Sequence, residues 1–158
     1  MMLTIRDVRI DEEHVLVDHY RALWESYGVD EKHISPDAEE IVRQFIRAGR
    51  DSRELAAFFA VQDGQIVGSV ACEVQRLPYP DVTVSSFRKF GYIWSVYVVP
   101  SARRRGIASA LVRHAVEHLR SIGCTKAVLH ASDAGKGVYE SAGFTVGPEM
   151  RLDLGAER

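Results

Sequence analysis

The sequence predicts an α/β fold in which one mixed sheet carries helices on both faces. Segments with the period of amphipathic helices alternate with apolar runs of strand length. One run, Tyr92-Ile93-Trp94-Ser95-Val96-Tyr97-Val98-Val99, is nearly continuous in apolar residues, as a strand buried on both faces must be. The chain has 158 residues, 46% of them hydrophobic and 27% charged. That is enough material for one sizeable core, so residues 1–158 read as a single domain.

Leu3 to Arg9 reads as the first strand. Residues 12–27 read as a helix, because Leu16, Tyr20, Leu23, Trp24 and Tyr27 recur on one face. A second helix is expected to start at Ser35-Pro36-Asp37, with serine accepting from free amides and proline losing no hydrogen bond at the first position. Asp37, Glu39 and Glu40 suit the positive end of its dipole, and Arg47 and Arg50 the negative end. Leu55 to Val61 and Ile66 to Val74 flank Asp63-Gly64, a hairpin signal. Leu77-Pro78-Tyr79-Pro80-Asp81 opens an irregular stretch. Pro100 ends the central strand, and a helix follows from about Gly106 to Ile122, with Ile107, Leu111, Ala115, Leu119 and Ile122 on its apolar face. Lys126 to Ala131 reads as a strand, and Asp133 to Ala142 as a short helix ended by Gly143. Phe144–Val146 and Met150–Leu154 read as final strands.

Composition narrows the function. A formal charge of −2 argues against binding nucleic acid or a membrane through bulk charge. No apolar run approaches the roughly 20 residues of a membrane span, and the N-terminus has no signal-peptide pattern. Cys72 and Cys124 lie far apart, without metal or redox spacing, and read as reduced core residues. These features favour the cytoplasm.

The segment from Val98 to Ser109 joins the buried strand to a helix through a basic turn, Arg103-Arg104-Arg105-Gly106-Ile107-Ala108. The first amides of a helix lack internal partners and sit at the positive end of the dipole, so they can bind a phosphate. Gly106 and Ala108 leave room for close approach. The segment has neither a P-loop pattern nor three spaced glycines. From these residues alone, anion binding and a solvated basic run are equally good readings.

Arg103-x-x-Gly106-x-Ala108, behind a strand ending in Val98-Val99-Pro100, resembles the acyl-CoA loop of the GNAT superfamily of N-acetyltransferases. That pattern is Gln or Arg, two residues, Gly, one residue, then Gly or Ala. A second resemblance lies in Leu129-His130-Ala131-Ser132 followed by Val138-Tyr139-Glu140-Ser141-Ala142-Gly143-Phe144. Many members carry Asn near the start of this second motif, where this chain has Ser132 and Asp133. The resemblance implies a single mixed, mostly antiparallel twisted sheet flanked by helices on both faces. It implies acetyl-CoA as acetyl donor, no metal, and a primary amine on a small molecule or protein as acceptor, attacking directly in a ternary complex. A homodimer sharing an edge strand is compatible with it. So is a coenzyme A-binding module without turnover, although Tyr139 favours the enzyme.

The resemblance also implies roles. The backbone of Val98 and Val99 would align the pantetheine arm, and the amides of Arg103, Arg104, Arg105, Gly106, Ile107, Ala108 and Ser109 would hold the pyrophosphate, with Ser132 beside the cofactor. Tyr139 would protonate the departing thiolate, since a phenol with pKa about 10 keeps its proton at neutral pH. The base has no family position to inherit. Glu73, in the strand beside Tyr92–Val99, is one candidate, because a carboxylate there could have a raised pKa. His130 and Asp81 are weaker ones, and a water chain is another route. Among Trp24, Tyr27, Tyr79 and Trp94, loop residue Tyr79 is the best acceptor contact, while Trp24 and Tyr27 read as core.

Overall fold

The computed structural model describes residues 2–155. Its strands are β1 (Leu3–Asp7), β2 (Ala56–Gln62), β3 (Gln65–Val74), β4 (Phe90–Val98) and β5 (Lys126–Val128). Its helices are α1 (Glu13–Ser26), α2 (Ala38–Ser52), α3 (Ile107–Ser121) and α4 (Lys136–Ser141). The strands form one sheet in sequence order, antiparallel from β1 to β4 and parallel between β4 and β5. The mixed sheet read from the sequence is therefore present.

Strand alternation sends neighbouring side chains to opposite faces. Phe58, Ala60, Val70, Cys72 and Ile93 face α3 and meet its Leu111, Ala115 and Leu119. Ala57, Phe59 and Ala71 face the other way and meet Leu16 and Val17 of α1 and Val42 and Ile46 of α2. Phe59, Leu16, Ile46 and Leu111 are fully buried, each contributing about 1.5–3 kcal/mol through removal from water. α3 lies close against β4: a Cβ at Gly91 would come within 2.6 Å of the Leu119 side chain. Asp63 and Gly64 both have positive φ, 52° and 77°, as the tight β2–β3 turn requires.

The β3–β4 register slips from Ser69↔Tyr97 to Ala71↔Trp94, so β4 carries a bulge at Ser95, whose φ is +57°. β5 pairs with β4 only at Phe90, Gly91 and Tyr92. Residues 93–98 of β4 therefore have β3 on one side and, among the described residues, no strand on the other.

Three sequence expectations need correction. Ser35 does not cap α2; its hydroxyl donates to Asp37 and its carbonyl accepts from Ala38 N at 3.0 Å, a tight turn that delays the helix to Ala38. β5 ends at Val128 rather than Ala131, because β4 is no longer beside it. Phe144–Val146 and Met150–Leu154 are not strands. Alternation supplies an apolar face, but a strand also needs a ladder partner, and Val146, Met150, Leu152 and Leu154 stay exposed.

Between α1 and the sheet, His19 is 8% exposed. Its Nδ1 lies 2.8 Å from Ser69 Oγ, and its ring centroid is 4.8 Å from that of Tyr97. Burial pushes its pKa below the usual 6.5. The unfolded chain then binds a proton that the folded chain resists, so the fold loses stability as pH falls below about 6.5. Urea unfolding between about pH 7 and pH 5 is expected to show this loss, and His19→Gln to flatten it. Carboxylates held low, such as Glu12 and Glu149, act only in more acidic solution.

Candidate active site

The loop after β4 makes a short turn, Pro100–Ala102, then enters α3 through two left-handed residues, Arg104 at φ +64° and Gly106 at φ +78°. No side chain caps α3, and Ala110 N to Gly106 O, 3.1 Å, closes its first turn. The amides of Ile107, Ala108 and Ser109 thus have no partner within the helix. A Cβ built on Gly106 would meet nothing within 4 Å, so open space lies at this helix start. The side chain of Ile107 is buried in the core, leaving only its amide to face outward. Arg103 folds back: its Nε donates to Val98 O at 2.9 Å and its guanidinium lies 5.6 Å from the Tyr97 ring centre. Arg104 and Arg105 are exposed.

Past Tyr92, β4 has no ladder with β5 among the described residues. Two buried polar atoms on β4 at this point, Trp94 Nε1 and Ser95 Oγ, have no hydrogen-bond partner among the described residues. Tyr139, from α4, packs with its ring 6.1 Å from Phe144. Burial pushes its phenol up to about 12, and the nearby phenols of Tyr27 and Tyr92 act in the same direction. Tyr139 therefore stays protonated and able to donate.

Tyr92 is hydrogen-bonded to His130 Nδ1, just beyond β5. His130 Nε2 lies 3.0 Å from Glu149 Oε2, and Arg151 Nε donates to Glu149 Oε1 at 2.6 Å. The hydrogen bonds from His130 and Arg151 lower the Glu149 pKa and keep it a carboxylate.

Aromatic residues wall the approach from α1. Tyr20 packs edge-on against Trp94 at 5.3 Å, and Trp24 against Tyr27 at 5.5 Å. An apolar cavity of about 240 Å³ opens between α1, α2 and their connection, lined by Tyr20, Trp24, Ile34, Ile41 and Val42. Trp24 and Tyr27 are 39% and 47% exposed, not core. The last turn of α1 borders this cavity, so their rings are not covered by the sheet.

The other sequence candidates scatter. Val98 ends β4, and Val99 follows it with its N donating to Val67 O at 2.9 Å. Glu73 is 4% exposed and ion-paired with Arg53, which also lies 4.9 Å from the Phe45 ring centre. Ser132 accepts from Gly135 N at 3.2 Å and so shapes the entry to α4. Tyr79 lies under the Arg88 guanidinium, and Asp81 accepts from Thr83 and Arg88, all within the β3–β4 connection. Tyr92, Ser95, Glu149 and Arg151 went unread. Tyr92 and Ser95 look like ordinary members of an apolar strand, and Glu149 lies 19 positions after His130, past the end of the second motif.

The family model described as "Acetyltransferase (GNAT) family" matches residues 16–144. Glucosamine 6-phosphate N-acetyltransferase of Trypanosoma brucei brucei is 39% identical over 92 residues, covering 58% of this chain and 59% of that protein's length. Aminoglycoside N(6')-acetyltransferase type 1 of Klebsiella aerogenes is 34% identical over 136 residues, 82% of this chain and 80% of the relative. Among solved structures, a predicted acetyltransferase from Clostridium acetobutylicum, crystallised with acetyl-CoA, superposes with a TM-score of 0.80 at 25% identity, covering 97% of each chain.

Glu73→Gln removes the counter-charge of a partly buried guanidinium. The expected loss is about 1–3 kcal/mol in urea unfolding. Added to Arg53→Met, the same change is expected to cost less, because no unpaired charge is left behind.

Proposed function

The chain belongs to the GNAT family of acetyltransferases, and on that premise we propose that it moves the acetyl group of acetyl-CoA to a primary amine by direct attack in a ternary complex. The observation that carries this reading is the unpaired stretch of β4 after Tyr92, which runs directly into the uncapped start of α3. An extended pantetheine arm can add as a strand would to residues 93–98, where β4 has no β5 ladder; Val99 itself is engaged, its N donating to Val67 O and its O accepting from Ala102 N, both at 2.9 Å. The amides at Gly106 to Ser109, with the open space at Gly106, suit a pyrophosphate. Arg104 and Arg105 add positive charge, while Arg103 holds the loop to β4. The unpartnered Ser95 hydroxyl and Trp94 indole mark a polar demand on β4 that the protein leaves unmet.

Acetyl transfer needs a neutral amine, an aligned carbonyl and a proton for the departing thiolate. Tyr139 supplies that proton, because burial keeps its phenol protonated, with the phenols of Tyr27 and Tyr92 acting in the same direction. The related proteins named for glucosamine 6-phosphate and aminoglycosides support a small-molecule amine as acceptor, and the cavity beside Tyr20 and Trp24 gives its body a place. The free thiols Cys72 and Cys124 are in keeping with the cytoplasm.

Acetyl-CoA at about 100 times its dissociation constant is expected to stabilise the fold by roughly 2.7 kcal/mol, or about 5–10 °C in melting temperature. Gly106→Glu puts a carboxylate into the space assigned to phosphate and is expected to abolish that shift. Gly106→Ala, which carries the left-handed strain of about 1 kcal/mol without the charge, should retain most of it. Unchanged affinity in folded Gly106→Glu would remove the phosphate-loop assignment. Thiol release from acetyl-CoA, screened over a panel of aliphatic, aromatic and amino-sugar amines, tests the activity itself. With the best amine, Tyr139→Phe is expected to lower single-turnover transfer about 10²–10⁴-fold while acetyl-CoA affinity stays put. Equal transfer rates would make Tyr139 a packing residue.

A further inference from the structure

We propose that Tyr92, His130 and Glu149 form the path that takes the proton from the incoming ammonium, with the Tyr92 hydroxyl meeting the amine. The proposal rests on the acetyl-transfer reading and supplies the proton acceptor that reading lacks.

The geometry fixes the direction of the chain of hydrogen bonds. A carboxylate can only accept, so His130 Nε2, 3.0 Å from Glu149 Oε2, carries a hydrogen. In the neutral ring Nδ1 is then the acceptor, and the Tyr92 hydroxyl is the donor to it. Arg151 holds the second oxygen of Glu149 at 2.6 Å and keeps the carboxylate oriented. One end of this path lies inside and the other in water. Tyr92 is half-buried on β4 at its last pair with β5, three positions before the bulge. His130 and Glu149 have side chains 50% and 55% exposed, so a proton that reaches them can leave.

The surroundings favour that route over Glu73. The phenols of Tyr20 on α1 and of Tyr27 just past its end act electrostatically on Tyr92, and Tyr92 acts on Tyr139 of α4 in turn. Burial raises the Tyr92 pKa, which keeps its hydroxyl intact as a relay. Its register partner on β3 is Glu73, but that carboxylate is engaged by Arg53. The charged groups around His130 are Glu149, and Arg151 through Glu149; Glu149 stabilises an imidazolium once it forms.

The protons balance. Tyr92 Oη takes one proton from the ammonium as its own passes to His130 Nδ1, leaving imidazolium against the Glu149 carboxylate. The neutral nitrogen then bonds to the carbonyl carbon of acetyl-CoA and the carbon–sulfur bond breaks. Tyr139 gives its proton to sulfur and regains one from the nitrogen as the amide forms. The proton on His130 passes to water. The products are an N-acetyl amine, coenzyme A thiol and one released proton.

The test has two arms. Nitrogen-15 NMR of histidine-labelled protein reads the ring tautomer without any acceptor; hydrogen on Nε2 of neutral His130 is expected, and hydrogen on Nδ1 overturns the path. Kinetics use whichever panel amine the wild type acetylates, with acetyl-CoA saturating. Tyr92→Phe and His130→Gln are expected to lower kcat about 10²–10⁴-fold with the KM for acetyl-CoA unchanged. His130→Gln should also erase the acid limb of the pH–rate profile. Wild-type rates and profiles in folded Tyr92→Phe and His130→Gln overturn the relay while leaving acetyl transfer standing. A wild type that turns over no amine overturns the transfer reading, and the relay's role with it.

Discussion

The extra residue at Ser95 in β4 stands opposite Val70, in a strand otherwise paired regularly with β3. A bulge bends its strand and strengthens the local twist, and this one comes just after the last pair that β4 makes with β5. On its β3 side the strand continues to Val98; on the other side its backbone is left without a ladder. Unpaired backbone inside a protein is costly, so a stretch like this persists where something else can pair with it. The strand runs from that stretch directly into the basic loop and the uncapped start of α3.

The rest of the molecule holds this strand in place. α3 presses on one face of the sheet, tightly enough that Gly91 has no room for a methyl group against Leu119. α1 and α2 cover the other face, where two buried polar groups are paired across the layers: His19 with Ser69, and Glu73 with Arg53. Such pairs add little net stability over apolar packing, but a misplaced helix would leave them unmatched. They therefore tie the α1–α2 layer, and the aromatic wall it carries, to the register of β3 and β4.

Much of the fold was legible in the chain. The β2–β3 hairpin was visible in Asp63-Gly64, the central strand in the apolar run ended by Pro100, and α3 in its apolar face from Ile107 to Leu119. These are local signals, set by turn chemistry and by periodicity within a few residues. The basic turn into α3 was legible for the same reason. Alternation at Met150–Leu154 describes an apolar face without saying whether an edge is free to receive it, so a strand there cannot be told from the chain alone. At Ser35 the turn with Asp37 competes for the hydroxyl that a cap would need.

The sequence by itself determined the order of elements, the apolar faces that build the two layers, and the glycine and basic residues at the start of α3, because each depends on neighbours close in the chain. Only the tertiary structure decided which titratable groups meet. Tyr92, His130 and Glu149 come from a strand, a strand end and a tail, and no spacing along the chain records their contact. The same holds for Glu73, whose partner Arg53 lies 20 residues away at the end of α2. A proton path depends on distances of about 3 Å between side chains, and those distances are set by how β4 bends away from β5 and how the layers pack on it.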